Sequence, residues 1–421
     1  MEAADASDAL SCATISHFAS SMDYSKTFSR ADAAIFRHEA SSVVTAPSWS
    51  DQIVPVAFNP YFAGADPFDR DQHDDPYGAI EKARKRVYKR ISAIVDLLFT
   101  AQHRVCVFVL LVFGRSFRLI RWDRGGAIAT PPVDYFLDPS ALCDCLRRIS
   151  TLDDLTLGFD PSATRVLPGD VDFLRMDIAA SEHASDQDHS ERDLASEPSG
   201  DHIVFRYVRT LFRSSLPVDW PRYKLRVPHG DTDRYYLVGK PTFSSEGVVG
   251  RGTRGYVALD CQTRRFVWLK DAWRAAYMIS SKEGDVLETL NAAGVENVPT
   301  VVCHGDIDGQ TTVTADWWER QYSSLAAPST PSTSTSATSS NTLVGSALLS
   351  SRKRKRSIAD EVAPLGDGRT HNVAKESKCP LLQHIHYRIA VQEVAFSLRN
   401  LQNGRQLASV VCDAIKGAQH P

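Results

Sequence analysis

Three glycines at fixed spacing form the strongest chemical signal in the sequence. They lie in the run Gly250-Arg251-Gly252-Thr253-Arg254-Gly255-Tyr256-Val257. Glycine lets backbone N–H groups approach phosphate oxygens, because no Cβ stands in the way. Dinucleotide-binding loops use the same spacing but lead directly into a helix. Here the pattern predicts a strand, a turn at 261–264 and a second strand. This context argues against a dinucleotide-binding loop and favours a glycine loop that covers phosphates and leads into a hairpin. A hairpin without a ligand is the structural alternative.

A lysine and a glutamate follow the glycine run at positions where they can pair. Lys270 ends the second predicted strand, and Glu283 opens a predicted helix in which Leu287 and Leu290 face inward. An ammonium group held by a carboxylate can bind nucleotide phosphates. Glu288 lies on roughly the opposite side of the helix and is the weaker candidate for this pair. The order of the three elements predicts a phosphate site, whereas an isolated lysine at a strand end would be an ordinary surface residue.

These motifs together resemble the fungal-type protein kinase family. The segments that carry the resemblance are Gly250-Arg-Gly-Thr-Arg-Gly-Tyr-Val257, Phe266-Val-Trp-Leu-Lys-Asp-Ala-Trp273, Val298-Pro-Thr-Val-Val-Cys-His-Gly-Asp306, Gln102-His-Arg104, Arg121-Trp-Asp-Arg-Gly125 and Tyr387-Arg-Ile-Ala-Val-Gln-Glu-Val394. The resemblance runs from about residue 51 to the end, apart from a linker and an insert. It implies a kinase-like fold from about residue 235 onward, preceded by a region specific to the family.

The resemblance also implies ATP as cofactor and a set of residues that bind it. The glycines would lie over the phosphates, the lysine and glutamate would form the ion pair, and the last glutamate would lie near the hinge beside the adenine. These residues are Gly250, Gly252, Gly255, Val257, Lys270, Glu283 and Glu393. The general kinase pattern Val-Ala-Ile-Lys has a small residue two positions before the lysine. This sequence has Trp268 there, and a bulky side chain is expected to narrow the adenine pocket.

The motifs that carry out phosphate transfer are missing from the sequence. There is no Asp-Phe-Gly, whose aspartate binds Mg²⁺ in kinases. The triplet His304-Gly305-Asp306 follows Glu283 too soon to be a catalytic loop, and it is predicted to form a turn beside the fourth strand. We therefore predict no catalytic and no metal-binding residue in this chain, so the ligands for the Mg²⁺ that catalysis requires are missing. Ser/Thr-directed phosphate transfer is the activity that the resemblance implies, and this chain alone is expected to be inactive.

A non-catalytic nuclear binding or regulatory protein, in effect a pseudokinase fragment, is the alternative function. It would act through the N-terminal domain and a basic segment. A nuclease role is less favoured, because Asp123 has no Glu-x-Lys partner with which to bind a metal.

Hydrophobic periodicity predicts an α+β fold made of an N-terminal α+β domain and an incomplete kinase-like domain. The first domain is predicted over 52–176, with a helix at 78–103, strands at 105–113, 117–122 and 127–133, and a helix at 139–150 that Asp138 caps. Strand-like runs at 202–208 and 234–238 are predicted to begin the second domain. The other predicted segments are a weakly ordered leader (1–51) with one short helix, an acidic linker (177–201), a kinase-like small lobe (202–322), a disordered Ser/Thr-rich and basic insert (323–383), and a hinge strand with the start of the large lobe (384–421).

Composition limits the partners of the chain. With 48 Lys+Arg against 51 Asp+Glu in 421 residues, the net charge of −3 gives no overall attraction to nucleic acid or to an anionic membrane. The basic residues between 82 and 90 fit one solvated helix face, so a nucleic-acid partner is not expected. Apolar runs are too short for a membrane span, and the eight cysteines form no Cys-x-x-Cys pair, which favours a reducing, intracellular compartment.

One short basic segment predicts a partner. Arg352-Lys353-Arg354-Lys355-Arg356 lies in the insert, where an exposed nuclear import signal would be accessible to an import receptor. The nucleus is therefore favoured over the cytoplasm, with a solvating charge cluster as the alternative. The sequence does not identify the protein substrate or partner.

Overall fold

The computed structural model describes residues 10–14, 31–37, 49–59, 63–69, 75, 77–188, 204–276, 281–325, 381–401 and 403–418. Two sheets flanked by helices build this part of the chain, which confirms the predicted α+β class. Each helix in it is too short or too polar to cross a membrane.

The N-terminal domain is built on a mixed sheet, which has seven strands within the described residues. The strands are β1 (Leu10–Thr14), β2 (Ala33–Arg37), β3 (Val54–Asn59), β4 (Val107–Phe113), β5 (Ser116–Asp123), β6 (Gly126–Ala129) and β7 (Val133–Asp134). They pair in the order β1-β2-β3-β4-β5-β6, and β7 pairs with β5. The β3–β4 pair is parallel, whereas β4, β5 and β6 form the predicted antiparallel succession.

Two helices cover this sheet, as the periodicity predicts. They are α1 (Ala79–Ala101) and α2 (Pro139–Thr151). The apolar face of α1, with Ile91 and Leu98, packs in one core with Val107 and Trp122 of the sheet. Burial of such a face, rather than intrinsic propensity, supplies most of a helix's stability. The side chain of Asp138 accepts a hydrogen bond from the N–H of Ala141 at 3.2 Å, so the predicted cap is present.

The described part of the leader differs from the prediction of a weakly ordered segment with a short helix. Residues 33–37 form β2, which pairs with β3. The side chains of Ala34, Ile35 and Phe36 are buried. The short apolar run completes the sheet of the N-terminal domain, a long-range pairing that a loose local pattern does not reveal.

The second sheet contains eight strands within the described residues. They are β8 (Ala163–Val166), β9 (Arg222–His229), β10 (Thr232–Val238), β11 (Phe243–Ser244), β12 (Arg254–Asp260), β13 (Phe266–Ala275), β14 (Val301–Thr311) and β15 (His384–Val391). Their order is β14-β15-β13-β12-β10-β9-β8, with β11 against β12. Strand β15, the predicted hinge strand, thus lies between β13 and β14, and both pairs are antiparallel.

Five helices belong to this half of the described chain. They are α3 (Val171–Ala180), α4 (Arg206–Ser214), α5 (Glu283–Ala292), α6 (Thr314–Leu325) and α7 (Gly404–Ala418). The predicted strand-like run 202–208 is wrong in its described part, because Arg206 begins α4. The apolar residues of α4, including Val208 and Phe212, pack against the second sheet with Leu237.

The predicted boundary at residue 176 also differs from the structure. Strand β8 pairs with β9 of the second sheet, and α3 packs against α4. The acidic residues of the predicted linker that are described pair with arginines of the same half: Asp177 with Arg222, and Asp186 with Arg209. The acidic composition therefore serves ion pairing there. The rest of that linker and most of the insert 323–383 lie outside the described residues.

Candidate functional site

The predicted lysine–glutamate pair is formed in the structure. The Nζ of Lys270, on β13, donates a hydrogen bond to Oε2 of Glu283 at 2.5 Å. Glu283 is the first residue of α5, so the helix start aims its carboxylate at the strand. The side chains are 29% and 48% exposed, and the pair is therefore open to a ligand. Glu288 faces away, with Oε1 3.2 Å from Nε2 of His304, as its position on the helix predicts.

The glycine loop, residues 245–253, joins β11 to β12, and the predicted strand–turn–strand follows it as β12 and β13. The N–H of Ser245 donates to the carbonyl of Thr253 at 2.8 Å and closes the loop. Gly250 and Gly252 have φ values of +107° and +48°, a region that favours glycine. Gly255 follows on β12 and pairs directly with Lys270. The structure thus places the end of the glycine motif and the lysine on adjacent strands.

Gly255 has a packing reason to be glycine. A Cβ at this position would lie 2.3 Å from Cζ2 of Trp268. The indole therefore crosses the backbone of β12 on the sheet face that also carries Val257, the direct partner of Trp268. We call this the lysine face, because Lys270 lies two residues from Trp268 on the same strand. The indole occupies space on this face between the glycine motif and the hinge strand.

Val257 and Glu393 have structural contacts of their own. Val257 is 1% exposed and belongs to the core beneath α4. Glu393 follows β15, and its Oε2 accepts a hydrogen bond from the N–H of Thr300 at 2.8 Å. That contact attaches the hinge to the segment between α5 and β14. Neither contact tests the predicted role of these residues in ATP binding.

Helix α4 contacts the predicted hinge segment that follows β15, and the sequence does not predict this contact. The hydroxyl of Tyr207 donates to the carbonyl of Val394 at 2.5 Å. Its ring stacks on Phe396, with the centroids 4.0 Å apart. Val394 and Trp268 join the same core as α3 and α4. The part of the lysine face next to the hinge is therefore covered by the chain's own side chains.

The triplet around Asp306 is part of a strand, and the predicted turn is wrong. His304, Gly305 and Asp306 lie within β14 and pair with β15. Asp306 accepts two hydrogen bonds from Arg274, at 2.6 and 2.7 Å. Burial acts to raise the pKa of Asp306, but these hydrogen bonds and the charge of Lys282 lower it overall. The carboxylate is thus committed to an ion pair that links β14 to β13 across β15.

Three potential metal ligands meet between α5 and β14. One oxygen each of Asp285 and Glu288 and a ring nitrogen of His304 lie within 4.8 Å of one another. The two carboxylates are exposed, and their oxygens lie 3.7 and 3.2 Å from Nε2 of His304. A Cβ on Gly284 would lie 2.0 Å from Cγ of His304, so the ring packs directly on the helix backbone. Packing of the imidazole on α5 brings the three side chains together, and the predicted lack of a metal site stays a prediction.

A cavity of about 440 Å³ lies elsewhere, between β8, α3 and β9. Three of the charged groups that line it pair with one another, and a fourth, Arg165, pairs with Asp51. Asp172 accepts from Arg175 at 2.6 Å and from Lys224 at 3.0 Å. The cavity therefore presents few free charges to a ligand.

The opposite face of the second sheet carries a buried ionic network, which we call the interface network. Its centre is Asp271, the residue after Lys270, whose Oδ2 accepts from Nη2 of Arg254 at 2.5 Å. Arg254 also donates to the carbonyls of Phe99 and Gln102 at 2.9 and 3.1 Å, at the end of α1. A charge pair on the second sheet thus satisfies backbone acceptors of the N-terminal domain.

A second arginine extends the network to the segment that joins the two halves. Arg388 of β15 donates to Oδ2 of Asp160 at 2.6 Å and to Oγ of Ser162 at 2.8 Å. His386 contacts Asp271 directly. All of these side chains are at most 5% exposed. Charges this deeply buried are retained only when each has a partner, so the network requires both halves of the chain.

Protonation in this network follows from its geometry. Burial would raise the pKa of Asp271, but Arg254, His386 and Arg388 hold it well below its usual range. Nδ1 of His103 accepts from Arg254 at 3.0 Å, and it cannot at the same time donate to Asp271 at 3.5 Å. Burial, with the charge of Arg254, lowers the pKa of His103 to about 3. His103 is therefore neutral at physiological pH.

The motif at 121–125 also lies between the two halves. Asp123, fully buried, accepts from the N–H of Val313 at 3.0 Å and from Oγ1 of Thr314 at 2.7 Å. It thereby caps the start of α6. Arg124 contacts the glycine loop, and Nη1 donates to the carbonyls of Gly247 and Val248 at 2.9 and 3.1 Å. The sequence marks these residues only as a motif of the family, without their partners.

Comparison with known proteins agrees with this geometry. A family model described as fungal protein kinase matches residues 79–420. No curated protein and no solved structure matches the chain significantly. The matched range begins at α1, includes the glycine loop with Lys270 and Glu283, and extends through α7. The chain therefore belongs to the fungal protein kinase family.

Proposed function

We propose that this chain is a kinase-type small lobe that binds ATP through Lys270, as part of a protein Ser/Thr kinase. The pair of Lys270 and Glu283, next to the glycine motif on β12, is the observation that carries the proposal. In kinases such a lysine holds the α- and β-phosphates, and the helix glutamate fixes its position. Membership of the fungal protein kinase family supports the same function.

The residues present fit the phosphate half of ATP better than the adenine half. The ammonium group of Lys270 is exposed and fixed by a carboxylate, and Gly250 has open space where a Cβ would stand. On the adenine side, Trp268 lies over Gly255. The hydroxyl of Tyr207 donates a hydrogen bond to the carbonyl of Val394, which is therefore not free to bind a base. ATP would supply the phosphoryl group, while these residues bind and orient it. We expect modest affinity, governed by the phosphates.

Phosphate transfer needs groups beyond this site. A kinase uses one aspartate to accept the substrate proton and another to bind Mg²⁺. The sequence contains no Asp-Phe-Gly, and Asp306 is committed to Arg274. We propose that these 421 residues bind the nucleotide without transferring its phosphate.

The test is titration of the chain with a non-hydrolysable ATP analogue and Mg²⁺, followed by calorimetry. We expect Lys270→Ala to weaken binding about tenfold or more, the effect of one lost charge-assisted contact. Glu283→Gln should weaken it less, because the ammonium group stays. Lys85→Ala is the matched control, since this exposed lysine pairs with Glu81 on α1, far along the chain. Equal affinity of all variants, or no binding by the wild type, would contradict the proposal.

A second function, that of a non-catalytic regulatory protein, is favoured by Trp268 alone. The indole occupies part of the lysine face where a nucleotide base would otherwise pack. If Trp268→Ala binds the ATP analogue and the wild type does not, the chain is a pseudokinase whose site is closed by its own side chain. If both bind, the indole does not close the site, and the proposed nucleotide-binding role stands.

We also propose an intracellular, nuclear location that depends on an import receptor. The run Arg352-Lys353-Arg354-Lys355-Arg356 supports it, although these residues lie outside the described structure. Replacing the five residues by alanine in a fluorescent fusion should move the protein from the nucleus to the cytoplasm. An unchanged distribution would exclude this signal.

A further inference from the structure

We propose that Arg124 of the N-terminal domain positions the glycine loop for phosphate binding, so that this domain supports the nucleotide site of the small lobe. The inference rests on the proposed function and assigns a role to a domain whose role neither the motifs nor the family match specifies. Arg124 lies in the turn between β5 and β6 and is not one of the residues proposed to bind the nucleotide. It is a positioning residue.

Arg124 binds the loop through both its backbone and its side chain. The N–H of Gly250 donates to the carbonyl of Arg124 at 2.9 Å. In the other direction, Nη1 donates to the carbonyls of Gly247 and Val248. Three loop residues thus bind one arginine. The contacts are reciprocal, and they fix both the position and the direction of the first half of the loop.

The guanidinium group is also enclosed between the loop and α1. A Cβ on Gly252 would lie 2.3 Å from Cζ of Arg124, so only glycine permits this approach. On the other side, the Cζ of Arg124 is 4.4 Å from the ring centroid of Phe99, a cation–π contact. Arg124 is 4% exposed. Side chains held on several sides keep one geometry, which is what a supporting residue needs.

Neighbouring residues of the N-terminal domain reinforce the contact. Burial raises the pKa of the Asp96 carboxyl group on α1, whereas the charge of Arg124 and the nearby N–H of Gly247 act to lower it. Val248 is buried in the core of the N-terminal domain with Ile91 and Trp122. The loop is therefore anchored in that domain by an apolar side chain as well as by hydrogen bonds.

The position of Arg124 is set independently of the loop. Asp123 accepts from the N–H of Gly125 at 2.8 Å and also caps α6.

Burial, then the charge of Arg254, lowers the pKa of Arg124 to about 10. The group remains a cation at neutral pH and keeps all its donors. A loop anchored in advance loses less entropy when phosphates bind, so anchoring raises affinity for the phosphates and not for the base.

The experiment compares a triphosphate with a ligand that has no phosphate. Arg124→Ala, Arg124→Lys and the control Arg115→Ala are titrated with the ATP analogue and with adenosine. Arg115 is an exposed arginine of the same domain, 59% accessible, in the turn before β5. We expect Arg124→Ala to lose about tenfold in affinity for the analogue and to keep its affinity for adenosine. A role in general stability would weaken both ligands equally.

Hydrogen exchange at residues 247–250 gives a second readout that needs no ligand. We expect exchange to rise about tenfold in Arg124→Ala, to rise less in Arg124→Lys and to stay unchanged in Arg115→Ala. If Arg124→Ala does not fold, Arg124→Lys decides the question, because it keeps the buried charge and loses the paired donors. Unchanged exchange together with an unchanged ratio of the two affinities would overturn the proposal. If the wild type binds neither ligand, the proposed function fails, and the exchange measurement alone decides whether Arg124 anchors the loop.

Discussion

The indole of Trp268 lies across the backbone of Gly255, at a distance that leaves no room for any side chain there. This contact changes the meaning of the third glycine in the motif. Its small size serves packing against a neighbouring strand, whereas Gly250 and Gly252 serve the turn of the loop. The same indole narrows the site beside Lys270. Trp268 therefore affects both the packing of the second sheet and the space that the site offers a ligand.

Replacing Gly255 and Trp268 by alanine, singly and together, should show that their effects on the free energy of unfolding are strongly coupled. We expect Gly255→Ala to cost about 1–3 kcal/mol through overpacking and Trp268→Ala to leave a cavity that costs about 3 kcal/mol. In the double variant the alanine methyl group can occupy space that the indole leaves. The two losses should then fall short of additivity by more than about 1 kcal/mol in urea unfolding. Additive losses would show that the two residues do not share this space.

The interface network should be a main determinant of stability. Asp271→Asn leaves Arg254, His386 and Arg388 without their common buried anion, and such a change costs about 3–5 kcal/mol. Urea unfolding followed by tryptophan fluorescence measures this loss. The control is Asp308→Asn on β14, an exposed carboxylate for which a change within about 0.5 kcal/mol is expected. Similar effects of both changes would contradict the role of the network.

The free energy of unfolding should fall on acidification, and the fall should begin at a pH well above that at which carboxylates usually titrate. His103 has a pKa of about 3 in the folded chain, below its unfolded value, so its neutral form stabilises the fold fully above about pH 6.5. This contribution is lost as the pH falls from 6.5 toward 3, at about 1.4 kcal/mol per pH unit. Asp271, whose pKa is also lowered, adds a loss below about pH 4.

Unfolding at a series of pH values tests this dependence. The variant His103→Gln should have a flatter profile between pH 6.5 and 4, because a glutamine does not take up a proton on unfolding. His229→Gln, at an exposed histidine, should keep the wild-type slope. A wild-type profile that is flat down to pH 4 would exclude a buried neutral histidine.

The contact between α4 and the hinge should make a measurable contribution as well. Tyr207→Phe removes the hydrogen bond to the carbonyl of Val394, which we expect to cost about 1 kcal/mol. Tyr135→Phe makes the same chemical change at an exposed hydrogen bond to Gly114 and should cost less. Equal stability of wild type and Tyr207→Phe would mean that water replaces the phenol at the hinge.

The sequence predicts the lysine–glutamate pair well because its signals are local. A glycine hairpin, a strand that ends in Lys270 and a helix that begins at Glu283 each leave a periodic pattern in the sequence. Helical phase alone distinguishes Glu283 from Glu288, and the structure pairs the two residues with different partners. The family resemblance adds the order of the elements.

The interface network could not be predicted in the same way. Asp160 and Arg388 are 228 residues apart, and nothing local marks them as partners. The predicted strand near residue 206 is wrong because alternating apolar residues in a short segment fit a strand, whereas packing on the sheet makes this segment α4. The predicted boundary at 176 places residues 163–166 in the first domain, because sequence proximity does not show which sheet a strand joins. These errors concern long-range contacts, which tertiary burial decides.

The most direct test of the account is protection of Lys270 from an amine-acylating reagent by ATP, followed residue by residue with mass spectrometry. The account predicts that ATP at ten times its Kd slows labelling of Lys270 about tenfold and leaves Lys85 unaffected, since only the ATP-free fraction reacts. Adenosine, which has no phosphates, should protect much less. Equal labelling of Lys270 with and without saturating ATP would contradict the claim that this lysine receives the phosphates.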